Sequence, residues 1–235
     1  QSSMRHIIFS VMITCWAATS VAQQLHAGIS IGFRRINTGQ VQFEHVTMEI
    51  NNPRDEHYLV PSLTLSSANT NRWQFKGDLQ YQPGGISMRV FDQRFSNCQL
   101  CPVKKGTLVS YRELLFGGSA LFGFVKKQTW DLFMGGGLIW TYRFDVDHSP
   151  TNGLTNLSPD ALLVLTNASK IPEKSYLNGR LEARLRWRKW ALVYQYIFLL
   201  DKSMTKTITH KGQSYPLRLD QQIHLIGLHY RWLSF

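Results

Sequence analysis

The stretch that most constrains this chain runs from Leu114 to Val146, where side-chain character alternates with period two. Trp130, Leu132, Met134, Gly136, Leu138, Trp140, Tyr142, Phe144 and Val146 would share one face of a strand. Asp131, Phe133, Gly135, Gly137, Ile139, Thr141, Arg143 and Asp145 would share the other, because successive side chains of a strand point to opposite faces. Leu114, Phe116, Gly118, Ala120, Phe122 and Phe124 repeat the pattern, and Lys126-Lys127-Gln128-Thr129 joins the two runs as a short polar turn. Both runs exceed the ~5–6 residues usual for strands in soluble sheets. They meet the ~9–11 residues that a tilted strand needs to cross a bilayer. The pair reads as a transmembrane β-hairpin; a soluble barrel or sandwich with its apolar face inward is the alternative.

The front end fits export. Residues 1–3 read as upstream of a start at Met4, and residues 4–22 as a secretory signal peptide: Arg5 and His6, an apolar run from Ile7 to Val21, then small residues at Ser20 and Ala22. Cleavage is expected before Gln23, which leaves residues 23–235 as one barrel domain. An anchor helix or a lipid on Cys15 are the competing readings. The run is short and interrupted for a span, and Thr14 stands where a lipoprotein signal wants a small Gly, Ala or Ser.

Beyond residue 22 no run approaches the ~20 consecutive apolar residues of a helical span. The remaining membrane-spanning solution is a closed β-barrel, which satisfies its own backbone hydrogen bonds. Aromatic residues at 12% and charged residues at 17% agree with that. The formal net charge of +11 raises the question of nucleic acid. No basic recognition helix or stacking motif supports it, so no nucleic-acid partner is expected. Lipopolysaccharide phosphates and outer-membrane lipid are the expected neighbours of the basic charge.

Taken in order, the mature chain reads as about ten strands: 25–33, 41–50, 58–66, 73–81, 86–95, the hairpin 114–124 and 130–146, the hairpin 177–187 and 190–200, and 217–232. The fold class is therefore all-β, a closed antiparallel up-and-down transmembrane barrel. Eight strands is the alternative if an early pair stands outside it. Val41–Ile50 is weak in its alternation, and Pro61 cannot donate to a ladder. With both ends in the periplasm, the turns at 82–85, 126–129 and 188–189 fall inside and the loops at 96–106, 147–176 and 202–216 outside. That register places Tyr81, Trp130, Trp187, Trp190 and Trp232 at periplasmic ends and Trp73, Trp140 and Tyr142 toward outer ends. These are two aromatic girdles.

Together with the leader, the alternating strands and the short inner turns, the closing run His229-Tyr230-Arg231-Trp232-Leu233-Ser234-Phe235 resembles the small outer-membrane β-barrel proteins of Gram-negative bacteria. Tyr230 and Trp232 match the aromatic alternation of their last strand, while Phe235 lies out of that phase. The resemblance covers the whole mature chain. It implies an outer-membrane location and the barrel-assembly machinery as a partner that reads the C-terminal strand. A fainter likeness, in layout only, is to the TraO family of conjugative transposons.

Three groups of residues could carry chemistry. Cys98 and Cys101 form a Cys-Gln-Leu-Cys pair in an outer loop. In an oxidising compartment this reads as a local disulfide, with a redox pair or a zinc site short of two ligands as alternatives. Asp145, Asp147 and His148, with Ser149 next, cluster at the outer end of their strand. They would serve a barrel enzyme hydrolysing lipid or peptide, or simply form a solvated loop base. Finally, Lys76, Asp78, Asp131, Arg143, Asp145, Arg180, Glu182, Arg184, Arg186 and Arg231 would all point into the lumen, with Glu113. A salt-bridged plug is expected there, because unpaired buried charge is unfavourable; an anion-selective passage is the alternative.

The function these observations imply is a non-catalytic outer-membrane barrel. It would act structurally or present its loops to an extracellular or envelope protein partner. A narrow anion-preferring, porin-like pore and a barrel enzyme are the competing classes. No motif calls for a cofactor or a metal.

Overall fold

The same alternation organises the computed structural model, which describes residues 23–38, 41–43, 46–51, 57–67, 72–92, 103–150, 159, 174–200, 205–210 and 212–234. The leader at 4–22 and both Cys98 and Cys101 lie outside the described residues. The strands, in chain order, are β1 (Gln23–Thr38), β2 (Val41–Phe43), β3 (Val46–Asn51), β4 (His57–Ser67), β5 (Trp73–Asp92), β6 (Val103–Lys126), β7 (Trp130–Pro150), β8 (Ser175–Trp187), β9 (Trp190–Leu199), β10 (Thr205–His210) and β11 (Gln213–Ser234). Among the described residues no helix is long and apolar enough to cross a membrane.

Eight strands close a ring. Each is antiparallel to its neighbours: β1 to β4, β4 to β5, then β5 through β9 in succession, β9 to β11, and β11 back to β1. The barrel is thus eight-stranded rather than ten-stranded, for two local reasons. Val41–Ile50 forms no stave. It folds as the hairpin of β2 and β3, laid against residues 87–92 of β5 beyond the ring. Gln82-Pro83-Gly84-Gly85 is no turn either; it lies within the continuous β5 and pairs with Glu113, Arg112, Tyr111 and Ser110.

The sequence of β5 looked broken because it serves two structural needs at once. Pairing with β4 ends at Ser62 and Gln80, and pairing with β3 begins only at Ser87. Pro83 falls in that one-sided stretch, and Pro61 of β4 stands at the point of divergence, where a missing N–H removes no ladder bond. β4 still pairs fully with β1, so the strand at 58–66 is a stave despite its proline. Gly84 makes room rather than a turn: a Cβ there would sit 2.1 Å from Arg34 Nη1 and 2.2 Å from the Tyr111 ring.

The staves are unequal. β8 and β9 have 13 and 10 residues, near what a bilayer requires, whereas β5, β6, β7 and β11 have 20, 24, 21 and 22. The excess lies at the end opposite the tight turns. There the sheet continues past the membrane span, and the hairpins β2–β3 and β10–β11 widen it. The segments expected as loops at 96–106, 147–176 and 202–216 are correspondingly shorter, since strand begins at 103, continues to 150, resumes at 175 and occupies 205–210 and 213–216. Gly212, with φ of 79°, turns β10 into β11.

Candidate functional site: a charged barrel interior

Strand periodicity turns every second side chain of the ring inward, and the inward set combines a charged and polar network with an apolar cluster. Its outer portion is built round Glu113 of β6, which is fully buried. Oε2 accepts from Arg34 Nη2 at 2.5 Å and Gln82 Nε2 at 2.9 Å. Oε1 accepts from Arg143 Nη2 at 2.8 Å and the Tyr176 hydroxyl at 2.6 Å. These donors come from β1, β5, β7 and β8, so one carboxylate ties together strands from around the ring. The Arg143 guanidinium lies 3.9 Å from the centre of the Tyr111 ring, and Arg34 stands 5.6 Å from that of Tyr58. Tyr58 in turn packs on an apolar cluster of Val60, Leu115, Ile139, Ile197, Ile223 and Leu225, also inside the barrel.

The middle of the interior links β5 to β8 across the lumen. Arg180 Nη1 is 2.6 Å from Asp78 Oδ2, and its Nε donates to Ser119 Oγ at 2.9 Å. Lys76 meets the Glu182 carboxylate and stands 3.6 Å from Asp78 Oδ1. Gln195 donates to Glu182 Oε2 at 3.0 Å and accepts from Gln80 at 2.9 Å. Arg184 Nε is 3.4 Å from Glu182 Oε1. Space for the Arg180–Asp78 pair comes from Gly117, whose Cβ would lie 2.9 Å from Arg180 Nη1. Nearer the tight turns, Arg186 pairs with Asp131 on the adjacent strand.

The outward set is the reverse. Ile29, Ile31, Leu59, Leu63, Leu181, Leu192, Ile226 and Leu228 are exposed. On β8 the contrast falls between neighbours, with Leu181 55% exposed and Glu182 3%. Aromatic rings bound this apolar belt at both ends. At the tight-turn end Trp190 lies 4.8 Å from Tyr230, and Trp73 lies 5.2 Å from Phe122. At the other end Phe116, Trp140, Tyr142, Phe144 and Tyr81 form a chain with centroid spacings of 5.6, 6.0, 6.5 and 6.5 Å. Trp130 and Trp140 are ten residues apart on β7, about 25 Å of depth at a rise of ~3.3 Å per residue and a tilt of ~40°. That is the height of the apolar band on barrels that cross bilayers. A soluble domain buries its apolar residues and hydrates its charges; this ring buries a charged network inside and exposes an apolar belt outside. The chain is a transmembrane β-barrel.

Comparison with solved structures returns barrels of the same kind. The outer membrane protein OprG from Pseudomonas aeruginosa matches with a TM-score of 0.46 and 10% identity, over 91% of this chain and 97% of that one. The outer membrane protein AlkL, determined in lipid bilayers, matches with a TM-score of 0.47 and 12% identity, over 90% and 91%. Neisserial surface protein A matches with a TM-score of 0.44 and 9% identity, over 88% and 97%. At these values none of them lends this barrel an activity. No family model and no curated protein matches the chain, so the layout likeness to the TraO proteins stands without support.

Of the residues read as lumenal, Lys76, Asp78, Arg180, Glu182 and Arg184 meet in one cluster, Arg143 joins Glu113, and Asp131 joins Arg186. Arg231 lies on the inward face of β11, half-buried near the tight-turn end. Asp145 does not face the lumen. A bulge interrupts the β6–β7 register between Ser110 and Arg112, Asp145 takes a φ of 52°, and its carboxylate sits outside, 3.2 Å from Arg112 Nε. Asp147 is exposed as well, and the backbone of His148 pairs with Val109. Among the girdle residues, Trp130, Trp187, Trp190 and Trp232 stand at the tight-turn end and Trp140 and Tyr142 at the other. Trp73 and Tyr81 exchange ends relative to expectation, because the strand that carries them runs outward once 82–85 ceases to be a turn. Arg34, His26 and His229, all buried inward, were not singled out from the sequence. The signal for them was their place in the alternation of β1 and β11.

Proposed function

We propose that this protein is a plugged, non-enzymatic barrel of the Gram-negative outer membrane that presents its outer sheet extension and loops to an extracellular or envelope partner. The observation that carries this reading is the pairing of a filled interior with a long outer extension. Among the described residues Arg143, Arg180 and Arg184 are the largest wholly buried side chains, and Glu113 and Glu182 are tied to partners across the lumen. An eight-stranded ring is at the size where side chains fill the interior, so the filled lumen favours a plug over a narrow anion-preferring pore. Meanwhile β5, β6, β7 and β11 continue for roughly ten residues past what the bilayer needs. Strand outside the membrane does nothing for insertion. It supports rigid display of the connections it carries, the usual site of binding on a fixed scaffold.

Refolded protein reconstituted in planar bilayers should give no discrete conductance, while an epitope inserted in 151–174 should be reached by antibody on intact cells. Steady single-channel currents would overturn the plug, and an epitope reached only after the outer membrane is breached would overturn display.

A further inference from the structure

The cluster between β5 and β8 contains one more cation than its carboxylates can serve. Arg180 takes Asp78 and Ser119, and Lys76 takes Glu182. Gln80 and Gln195 occupy further positions on the same two carboxylates. Arg184 is left with Glu182 Oε1 at 3.4 Å from Nε and no aligned hydrogen bond. Its Nε, Nη1 and Nη2 have no hydrogen-bond partner among the described residues, although the side chain is 0% exposed.

A guanidinium cannot relieve its burial by losing a proton, and its rigid fork of N–H donors fits an anion. Glu182 Oε1, Asp78 Oδ1 and Gln80 Oε1 are acceptors without a hydrogen-bond partner among the described residues, yet the two carboxylates still face three cations, Lys76, Arg180 and Arg184. His26 and His229 are buried in the field of Arg184, and Nδ1 of each lacks a partner among the described residues. A water molecule could accept these hydrogen bonds but would leave the extra positive charge uncompensated, and uncompensated buried charge costs far more than an unmade hydrogen bond. At the tight-turn mouth Arg72, Lys127, Arg188 and Lys189 are all exposed. That collar raises the local anion concentration.

We propose that Arg184 holds a small halide-type anion inside the plug, with His26 and His229 as neighbouring donors. The three cations Lys76, Arg180 and Arg184 over the two carboxylates Asp78 and Glu182 select for negative charge. The site is part of the plug and does not depend on what the outer extension engages: a conducting barrel would end the plug reading while leaving the anion at Arg184.

The test uses refolded full-length barrel in detergent, exchanged from sodium gluconate into sodium bromide at equal ionic strength. The melting midpoint, read from heat-modifiable gel mobility, should rise saturably with bromide, and Arg184→Met should abolish the rise. No rise, or the same rise in Arg184→Met, overturns the proposal. Crystals of the unaltered protein grown in bromide provide an arm that needs no variant. An anomalous peak beside the Arg184 guanidinium is expected, and peaks confined to the surface, an adventitious ion only, overturn it.

Discussion

Substituting Glu113 by Gln tests the interior most sharply, because the substitution keeps shape and removes only charge. Glu113 accepts from Arg34, Gln82, Arg143 and Tyr176, and its side chain is wholly buried, as is that of Arg143. Glu113→Gln leaves two guanidinium groups without their shared counter-charge and turns an acceptor edge into an N–H donor facing donors. Breaking a buried pair in this way costs ~3–5 kcal/mol. The ion pair of Arg112 and Asp145 is the internal control: its side chains are 57% and 60% exposed, and an exposed pair contributes only ~0–1 kcal/mol. Urea unfolding of both variants in liposomes, followed by tryptophan fluorescence and by gel mobility, gives the two free energies. Arg34→Gln added to Glu113→Gln should recover part of the loss, since it removes one of the stranded charges. A Glu113→Gln effect no larger than that of Asp145→Asn would refute the argument that this network holds the barrel together.

On the opposite face, Leu181→Arg should destabilise insertion by ~2–4 kcal/mol, as a charge facing the middle of the bilayer does, measured by the same titration; free tolerance of Arg there would reverse the inside and outside of β8. Arg188 begins the two-residue turn after Trp187 with a φ of 53°, so Arg188→Gly should stabilise by up to ~1 kcal/mol by removing left-handed strain, visible as a higher urea midpoint. Cys98 and Cys101 should be joined in the mature exported protein, with mass spectrometry after alkylation without reductant showing neither labelled; two labelled thiols would reject the bond.

Legibility of the fold varied along the chain for physical reasons. β7 and β8 were readable because lipid outside and a filled lumen inside impose opposite chemistry on alternate residues, as Leu181 and Glu182 show. The stretch 41–51 carried only weak alternation because β2 and β3 lie beyond the bilayer, where neither face meets lipid. Gln82-Pro83-Gly84-Gly85 imitates a turn, and what Gly84 accommodates, the Arg34 and Tyr111 side chains, belongs to strands remote in sequence. The Arg34–Glu113 bond joins residues 79 positions apart, and no local pattern announces such a partner. Asp145 was misplaced because a bulge shifts the phase of β7 after Phe144, and period two has no memory across an inserted residue.

Spin labels placed singly at positions 179 to 185 of β8, in liposomes, test the inverted barrel most directly. Oxygen concentrates in the hydrocarbon and a charged nickel chelate is excluded from it. Strong broadening by oxygen is expected at 179, 181, 183 and 185, weak broadening at 180, 182 and 184, and little effect of the chelate throughout. Broadening by the chelate at the odd positions, or oxygen access without alternation, would contradict a lipid-facing outer surface over a closed, charged interior.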